Sequence, residues 1–274
     1  MSQNKSNRAE LTFDSGKIKP IYVDRENENG IIKLSLTTLE DSYTADSGLT
    51  YIATIVNTSS SSMKDVRIVP NFGAAEGPAS LVLCGGAALY VNGEYSGSVS
   101  AFRDGKSVVF GIALLGAGDN VLVLFKTKIS AYAPREPGSS IKNKITVFAR
   151  KLNPPAVTVV ETRVDDYTDV VMFRAETRDD KQSVTTTYTL YNYGNTDAAD
   201  AVLTDTFSPA PNITHVNAGG ETLLSSHYTY VSGTIKLPSA GYKLIIPAAS
   251  FSRSPSGEVI TIPGSKVITV KGTL

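Results

Sequence analysis

Short runs of alternating apolar and polar residues, each cut off by a turn signal, constrain this chain more than any other feature. Ile31-Ile-Lys-Leu-Ser-Leu36, Tyr51-Ile-Ala-Thr-Ile-Val56 and Val66-Arg-Ile-Val69 are such runs. Val121-Leu-Val-Leu-Phe125 and Ile145-Thr-Val-Phe148 follow. A period of two sends successive side chains to opposite faces of a strand. Asn92-Gly93 follows Tyr90-Val91, and Asp104-Gly105 stands between Val99-Ser-Ala-Phe102 and Ser107-Val-Val-Phe110. Both dipeptides supply the positive φ angles of a tight hairpin turn. No window longer than about ten residues carries a helical period with caps. Leu114 to Asn120, with Gly116 and Gly118, reads as a turn. Strands about 8–12 residues apart with turns between them predict an all-β sandwich.

An internal repeat makes this two sandwiches. At an offset of 135, Asn57 falls on Asn192, Ile55 on Leu190, Asp65 on Asp200, Ile68 on Leu203 and Pro20 on Pro155. At an offset of 123, Ile112 falls on Ile235, Leu114 on Leu237, Ala117 on Ala240, Gly118 on Gly241 and Ile145-Thr-Val147 on Ile268-Thr-Val270. The drop of about twelve residues assigns a deletion in the second copy to the Cys84 to Tyr95 region. The expected organisation is an N-terminal arm over residues 1–30 and immunoglobulin-like sandwiches over 31–150 and 151–274. Leu152-Asn-Pro-Pro155 reads as a stiff linker between the copies.

The arm is polar at its start and lacks the apolar core of a secretory signal. Leu11-Thr-Phe13 and Ile18-Lys-Pro-Ile21-Tyr-Val23 are β-prone pieces separated by Asp14-Ser-Gly16. Such pieces suit addition to the sheet edge of a neighbouring subunit. Composition removes several function classes. Lys and Arg number 26 and so do Asp and Glu, without a basic stripe, which argues against nucleic acid or an anionic membrane as partner. One cysteine and two histidines leave no intrachain disulfide and little for a zinc site. No apolar run approaches the ~20 residues of a membrane-spanning helix.

The second copy reads Tyr188-Thr-Leu-Tyr-Asn192-Tyr-Gly194, then Asp200-Ala-Val-Leu203-Thr-Asp205-Thr-Phe207-Ser-Pro209. This resembles the bacterial surface repeat known as domain of unknown function eleven. That repeat has a tyrosine in an alternating strand, then Asn-x-Gly, then a strand ending in Asp-x-Leu-Pro. The first copy matches in part: Tyr51 stands six residues before Asn57, but Ser59 stands in place of Gly194 and Pro70 in place of Asp205. In the second, Thr186 stands in place of Tyr51. The resemblance implies spacer, adhesive or structural modules and no common chemistry. With two tandem copies and a polar arm, the chain is also similar to the subunits of bacterial endospore appendages. The physical reading gives the motif structural roles. Gly194 turns the chain with a positive φ, and Asp205 ends a strand by accepting backbone amides.

Chemistry-bearing constellations are sparse. His215 and His227 are the only histidines, and Ser225 or Ser226 with His227 is the one arrangement with the elements of a nucleophile and base. Asp165, Asp166 and Asp169 cluster, as do Asp179 and Asp180, without the glycine and closing glutamate of a calcium loop. Gly85-Gly86 and Gly219-Gly220 read as turns. Cys84 ends an apolar run and reads either as a buried small hydrophobe or as an intermolecular cross-link. Lys33 and Asn143 are eligible by position for an isopeptide bond between first and last strands.

These readings predict a non-enzymatic, self-assembling subunit of a surface or spore appendage, with no cofactor and no metal. Its partners would be further copies of itself and other surface or spore-coat proteins. Leu11, Phe13, Ile18 and Ile21 of the arm would fill pockets on the next subunit, and Cys84 is the candidate cross-link. Without a signal sequence, mother-cell lysis would release a spore protein. The alternative is an adhesin binding carbohydrate or protein without polymerising, which Tyr228 and Tyr230 beside His227 would serve.

Overall fold

The computed structural model describes residues 31–274, except 75, 76, 100, 105, 106, 151, 180, 181 and 240, together with a short pairing near the N-terminus. That pairing joins β1 (Thr12–Phe13) to β2 (Gly16–Lys17). Then come β3 (Ile32–Thr38), β4 (Ser42–Tyr43), β5 (Gly48–Asn57), β6 (Met63–Pro70), β7 (Leu81–Val91), β8 (Glu94–Val99), β9 (Ala101–Asp104), β10 (Ser107–Leu115), β11 (Asn120–Ile129), β12 (Ser140–Phe148) and β13 (Ala156–Val164). The remainder holds β14 (Val170–Arg178), β15 (Ser183–Asn192), β16 (Leu203–Thr206), β17 (Asn212–Ala218), β18 (Glu221–Thr222), β19 (Thr229–Val231), β20 (Thr234–Leu237), β21 (Ser250–Arg253), β22 (Val259–Ile262) and β23 (Gly264–Thr273). The chain is all-β, as its patterning requires.

Five strands in the order β3-β5-β11-β7-β8 face six in the order β4-β13-β12-β6-β10-β9. Between them lies one apolar cluster, in which Tyr51 stacks on Phe125 and Phe110 tilts against the same ring. A second sandwich sets β14-β15-β23-β17-β18 against only β16-β20-β19. Its core includes Tyr188, Leu190, Leu203, Ile235, Leu237, Ile246, Ile268 and Val270. The Asn92-Gly93 turn joins β7 to β8 with both residues at positive φ, as predicted.

Three expectations are corrected by strand pairing. The Leu152-Asn-Pro-Pro155 segment is not the connection between sandwiches. It joins β12 to β13, and β13 pairs along its length with β12 in the first sandwich. The connection is residues 165–169, and the first sandwich takes in residues up to Val164, beyond the expected boundary at 150. Second, the offset of 123 does not survive. β23 pairs with β15 as β11 pairs with β5, so Ile268 takes the place of a β11 residue and not of Ile145. Third, Gly85-Gly86 is not a turn but a bulge inside β7, where the register against β11 slips between Phe125 and Lys126.

The offset of 135 does survive. β5 and β15 coincide end to end under it, and each closes on a fully buried asparagine. Asn57 Nδ2 donates to the carbonyls of Ser61 (2.8 Å) and Gly116 (2.7 Å), while its Oδ1 accepts the Ser59 amide (3.1 Å). Asn192 Nδ2 donates to Thr196 O (2.8 Å) and Ile246 O (3.4 Å), and its Oδ1 accepts the Gly194 and Asp169 amides (2.9 and 3.1 Å). Gly194 does not have the expected positive φ. It is glycine because a Cβ would lie 2.3 Å from Tyr167 O and 2.5 Å from Thr168 Cα.

A hairpin found only in the second copy fixes the joint. β21 and β22 reach back to the first sandwich, where the Val259 amide donates to Ala131 O (2.8 Å) and Arg253 Nη1 to Tyr132 O (3.1 Å). Arg135 Nη1 returns a bond to Thr261 Oγ1 (3.0 Å). Asn195 Nδ2 ties the second sandwich to Arg135 O (3.1 Å) and Asp165 O (2.9 Å).

Asn192→Ala leaves buried amides and carbonyls unpaired with nothing to replace the carboxamide. The expected loss in urea unfolding is about 2–4 kcal/mol, with the second sandwich melting first.

Candidate assembly surface

Of the residues expected to drive assembly, Leu11, Ile18 and Ile21 lie outside the described residues. Phe13 is described only through its backbone pairing with Gly16. What the structure does place is the root of the arm. Ile31 O accepts the Thr58 amide, beside Asn57 and the 116–119 turn. The joint is at the other end of the first sandwich, where the Asp165 amide donates to Tyr43 O and Asn195 reaches across.

The second sandwich carries the surface that sequence reasoning missed. β14 is a nine-residue strand, exposed throughout, at the open edge of its sheet. Val170, Val171, Met172 and Phe173 leave large apolar side chains in solvent. It has no proline, no lysine and no bulge, the usual means of blunting an edge. On its outer face Phe173 meets Tyr191 edge-on, and Tyr191 meets Tyr193.

The inward face of β14 turns from apolar to ionic along its length. Arg174 Nε donates to Asp205 Oδ2 (2.8 Å), Arg174 and Arg178 both grip Glu176, and the Arg174 guanidinium lies over the Phe207 ring. The Tyr188 hydroxyl donates to the same Asp205 oxygen, and Asp205 Oδ1 accepts the Thr206 amide (2.9 Å). Burial alone would raise the Asp205 pKa. The Tyr188 hydroxyl and the Arg174 guanidinium overcome it and hold the carboxyl below its ordinary value. Burial, then the hydrogen bond to Asp205, raises Tyr188. Asp205 thus accepts one backbone amide, as expected, and also anchors a tyrosine and an arginine.

The remaining candidates are separated. Cys84 is half-buried on β7 opposite Lys126, neither a core residue nor near β14. Lys33 is exposed on β3 whereas Asn143 is fully buried on β12 in the other sheet, so the fold does not join them. His227 stacks on Tyr242 at 5.2 Å, its Nδ1 is buried without a partner, and Ser225 and Ser226 are exposed. Asp165, Asp166 and Asp169 lie in the connection between the sandwiches, where the Asp166 amide caps Asp165 Oδ1 and the Asp169 amide caps Asn192. Among the described residues, no three of His, Cys, Asp and Glu gather as a metal site. A cleft of about 690 Å³ between β7, β9 and β10 is lined by Phe72, Leu81, Leu83, Phe102, Val108 and other groups without a titratable side chain.

No family model matches the chain, and neither does any curated protein. Among solved structures it is similar to the pilus 2b backbone protein of group B streptococcus (12% identity, 84% of this chain and 79% of that one, TM-score 0.38). It is also similar to the 35 kDa C-terminal fragment of the major pilin GBS80 of Streptococcus agalactiae (9%, 85% and 91%, 0.37). A third is domains D2 and D3 of the major pilin SpaD of Corynebacterium diphtheriae (15%, 84% and 88%, 0.34).

Because Asp205 is depressed in the folded state, its contribution to stability is fully present above its unfolded value, ~4. That contribution is lost as pH falls through the lower folded value. Melting curves between pH 2 and 6 are expected to show a drop at the acid end that Asp205→Asn removes.

Proposed function

We propose that the protein is a structural subunit that assembles head-to-tail into a fibre of a bacterial surface or spore appendage. The arm of one copy adds a strand to a sheet of the next. The observation that carries this reading is the polarity of the molecule. The arm is rooted at the end of the first sandwich away from the joint, and the second sandwich continues from the opposite end. A segment leaving at one pole and an open sheet at the other make a heterologous contact that propagates without closing. The hydrogen-bonded joint supports the same reading, because a fibre that bears load needs subunits that do not fold back on themselves. Backbone pairing supplies the strength of such a contact, and alternate side chains supply its register. The endospore-appendage resemblance is consistent with a structural role.

Removing residues 1–24 is expected to abolish fibres in negative-stain electron microscopy while leaving the circular dichroism and melting of both sandwiches intact. Fibres formed by the truncated protein would overturn strand addition by the arm.

A further inference from the structure

We propose that the arm's recipient is the open side of β16 in the second sandwich of another copy, where residues 11–23 take the places that β12 and β13 hold in the first. This rests on the head-to-tail reading and gives it an address.

The two sandwiches agree strand for strand on one sheet. β14, β15, β23, β17 and β18 take the order of β3, β5, β11, β7 and β8. On the other sheet β16, β20 and β19 match β6, β10 and β9, and the agreement then stops. Leu203 on β16 falls on Ile68 of β6 at the offset of 135, and the Ala198–Ile246 bridge falls on the Met63–Leu115 pair. Beyond β6 the first sandwich adds β12, β13 and β4; beyond β16, among the described residues, no strand follows.

The consequence is visible in burial. Ile32 and Leu34 on β3 pair with Asn57 and Ile55 and are 2% and 8% exposed. Val170 and Met172 on β14 pair with Asn192 and Leu190, the equivalent positions, and are 42% and 50% exposed. β3 is covered by the cluster containing Ile145 and Val147 of β12 and Ala156 and Val164 of β13. β14 has the apolar side chains and lacks the cover.

The repeat names what fits. The offset that puts Pro20 on Pro155 also puts Phe13 on Phe148, so the spacing from phenylalanine to proline in the arm is that of the β12–β13 connection. β13 is itself the precedent: it precedes the second copy in sequence yet completes the sandwich before it. The arm precedes the first copy, and by the same rule completes a second sandwich that comes before it in the fibre. That sandwich belongs to another molecule. In the register of β13, residue 29 takes the place of Val164, only two residues before Ile31. The far pole of a chain's own second sandwich is separated from Ile31 by the lengths of β5 and β15, ten residues each or ~33 Å apiece.

Phe148 pairs with Arg67 and Val147 with Ile68. Carried across, Phe13 pairs with Val202 and Thr12 with Leu203, and the pairing of Thr12 with Lys17 gives way to one of Thr12 with Ile21. Val202 is 59% exposed in the free subunit. This register turns Phe13 outward over Val202 and puts Ile21 in the place of buried Ala156. Ile21 and Val23, rather than Phe13, then cover the inner face of β14.

The test uses the full chain with Cys84→Ser, carrying F13C and V202C. Directly opposed residues in a ladder have the spacing a disulfide needs. After mild oxidation, a ladder of disulfide-linked multimers is expected, at least tenfold more abundant than with F13C and V231C on exposed β19. Equal ladders, no ladder, or a cross-linked monomer would overturn the inference. Met172→Glu, at a side chain exposed in the monomer, is expected to leave the melting curve in place and to lower fibre yield at least tenfold. Unchanged fibre yield would count against β14. If the 1–24 deletion abolishes fibres while F13C and V202C do not link, the arm reading stands and its address is wrong. If the deleted protein still forms fibres, both fail.

Discussion

A two-sheet sandwich holds only where each sheet covers the apolar face of the other, and here that condition is met once in full and once in part. In the first sandwich, six strands lie against five and every inward residue of β3 up to Leu36 is buried. In the second, three strands lie against five, and the inner face of β14 is left to water. Exposing a large apolar side chain forgoes roughly 1.5–3 kcal/mol relative to burying it. Covering Val170 and Met172 would release free energy of that order for each. The ionic cluster of Arg174, Glu176, Arg178 and Asp205 moderates this exposure. It stands where β3 would continue with Leu36, and it keeps the distal half of β14 soluble and tied to β16.

The buried asparagines explain why the two copies remain one fold despite weak sequence agreement. Each closes the strand next to the edge of its five-stranded sheet and satisfies amides and carbonyls of a turn and of the chain crossing opposite. The amide of residue i+2 and the carbonyl of residue i+4 are bonded in both copies. Alanine, aspartate or leucine cannot donate and accept in that way from one buried side chain. The surrounding residues vary as long as they stay apolar on the inward face. In the first copy Ser59 stands in place of Gly194, and its hydroxyl adds a bond to Asn57 Oδ1.

Much of the fold was legible because alternation and turn chemistry are local. The runs at Tyr51, Val121 and Ile145 became strands β5, β11 and β12, and Asn92-Gly93 became a two-residue hairpin turn. Pairing partners are not local, which is why the destination of β13 was missed: its proline pair looks like a linker, and nothing in Ala156–Val164 says that it folds backward onto β12. The repeat signal decayed for an equally physical reason. Between Leu237 and Ile246 the second copy leaves the ladder and returns at the Ala198 bridge, then inserts the β21–β22 hairpin. No single offset describes both changes, which is why the offset of 123 fails. The candidate surface was illegible in β14 itself, since Val170-Val-Met-Phe173 reads as an ordinary strand start; only the missing cover distinguishes it from Ile32.

The same asymmetry gives the joint its meaning. Within the chain, β13 completes one sandwich and then passes through residues 165–169 into the next, so cover and connection are made by one continuous segment. Pulling the sandwiches apart along the chain would load β13 in shear against β12, with eight residue pairs sharing the force. A subunit contact built on the same plan would place the arm in the same shear geometry, with no weaker mode of separation between molecules than within one. The β21–β22 hairpin of the second copy acts where that sandwich meets the covalent neighbour on its N-terminal side, and fixes its angle to it.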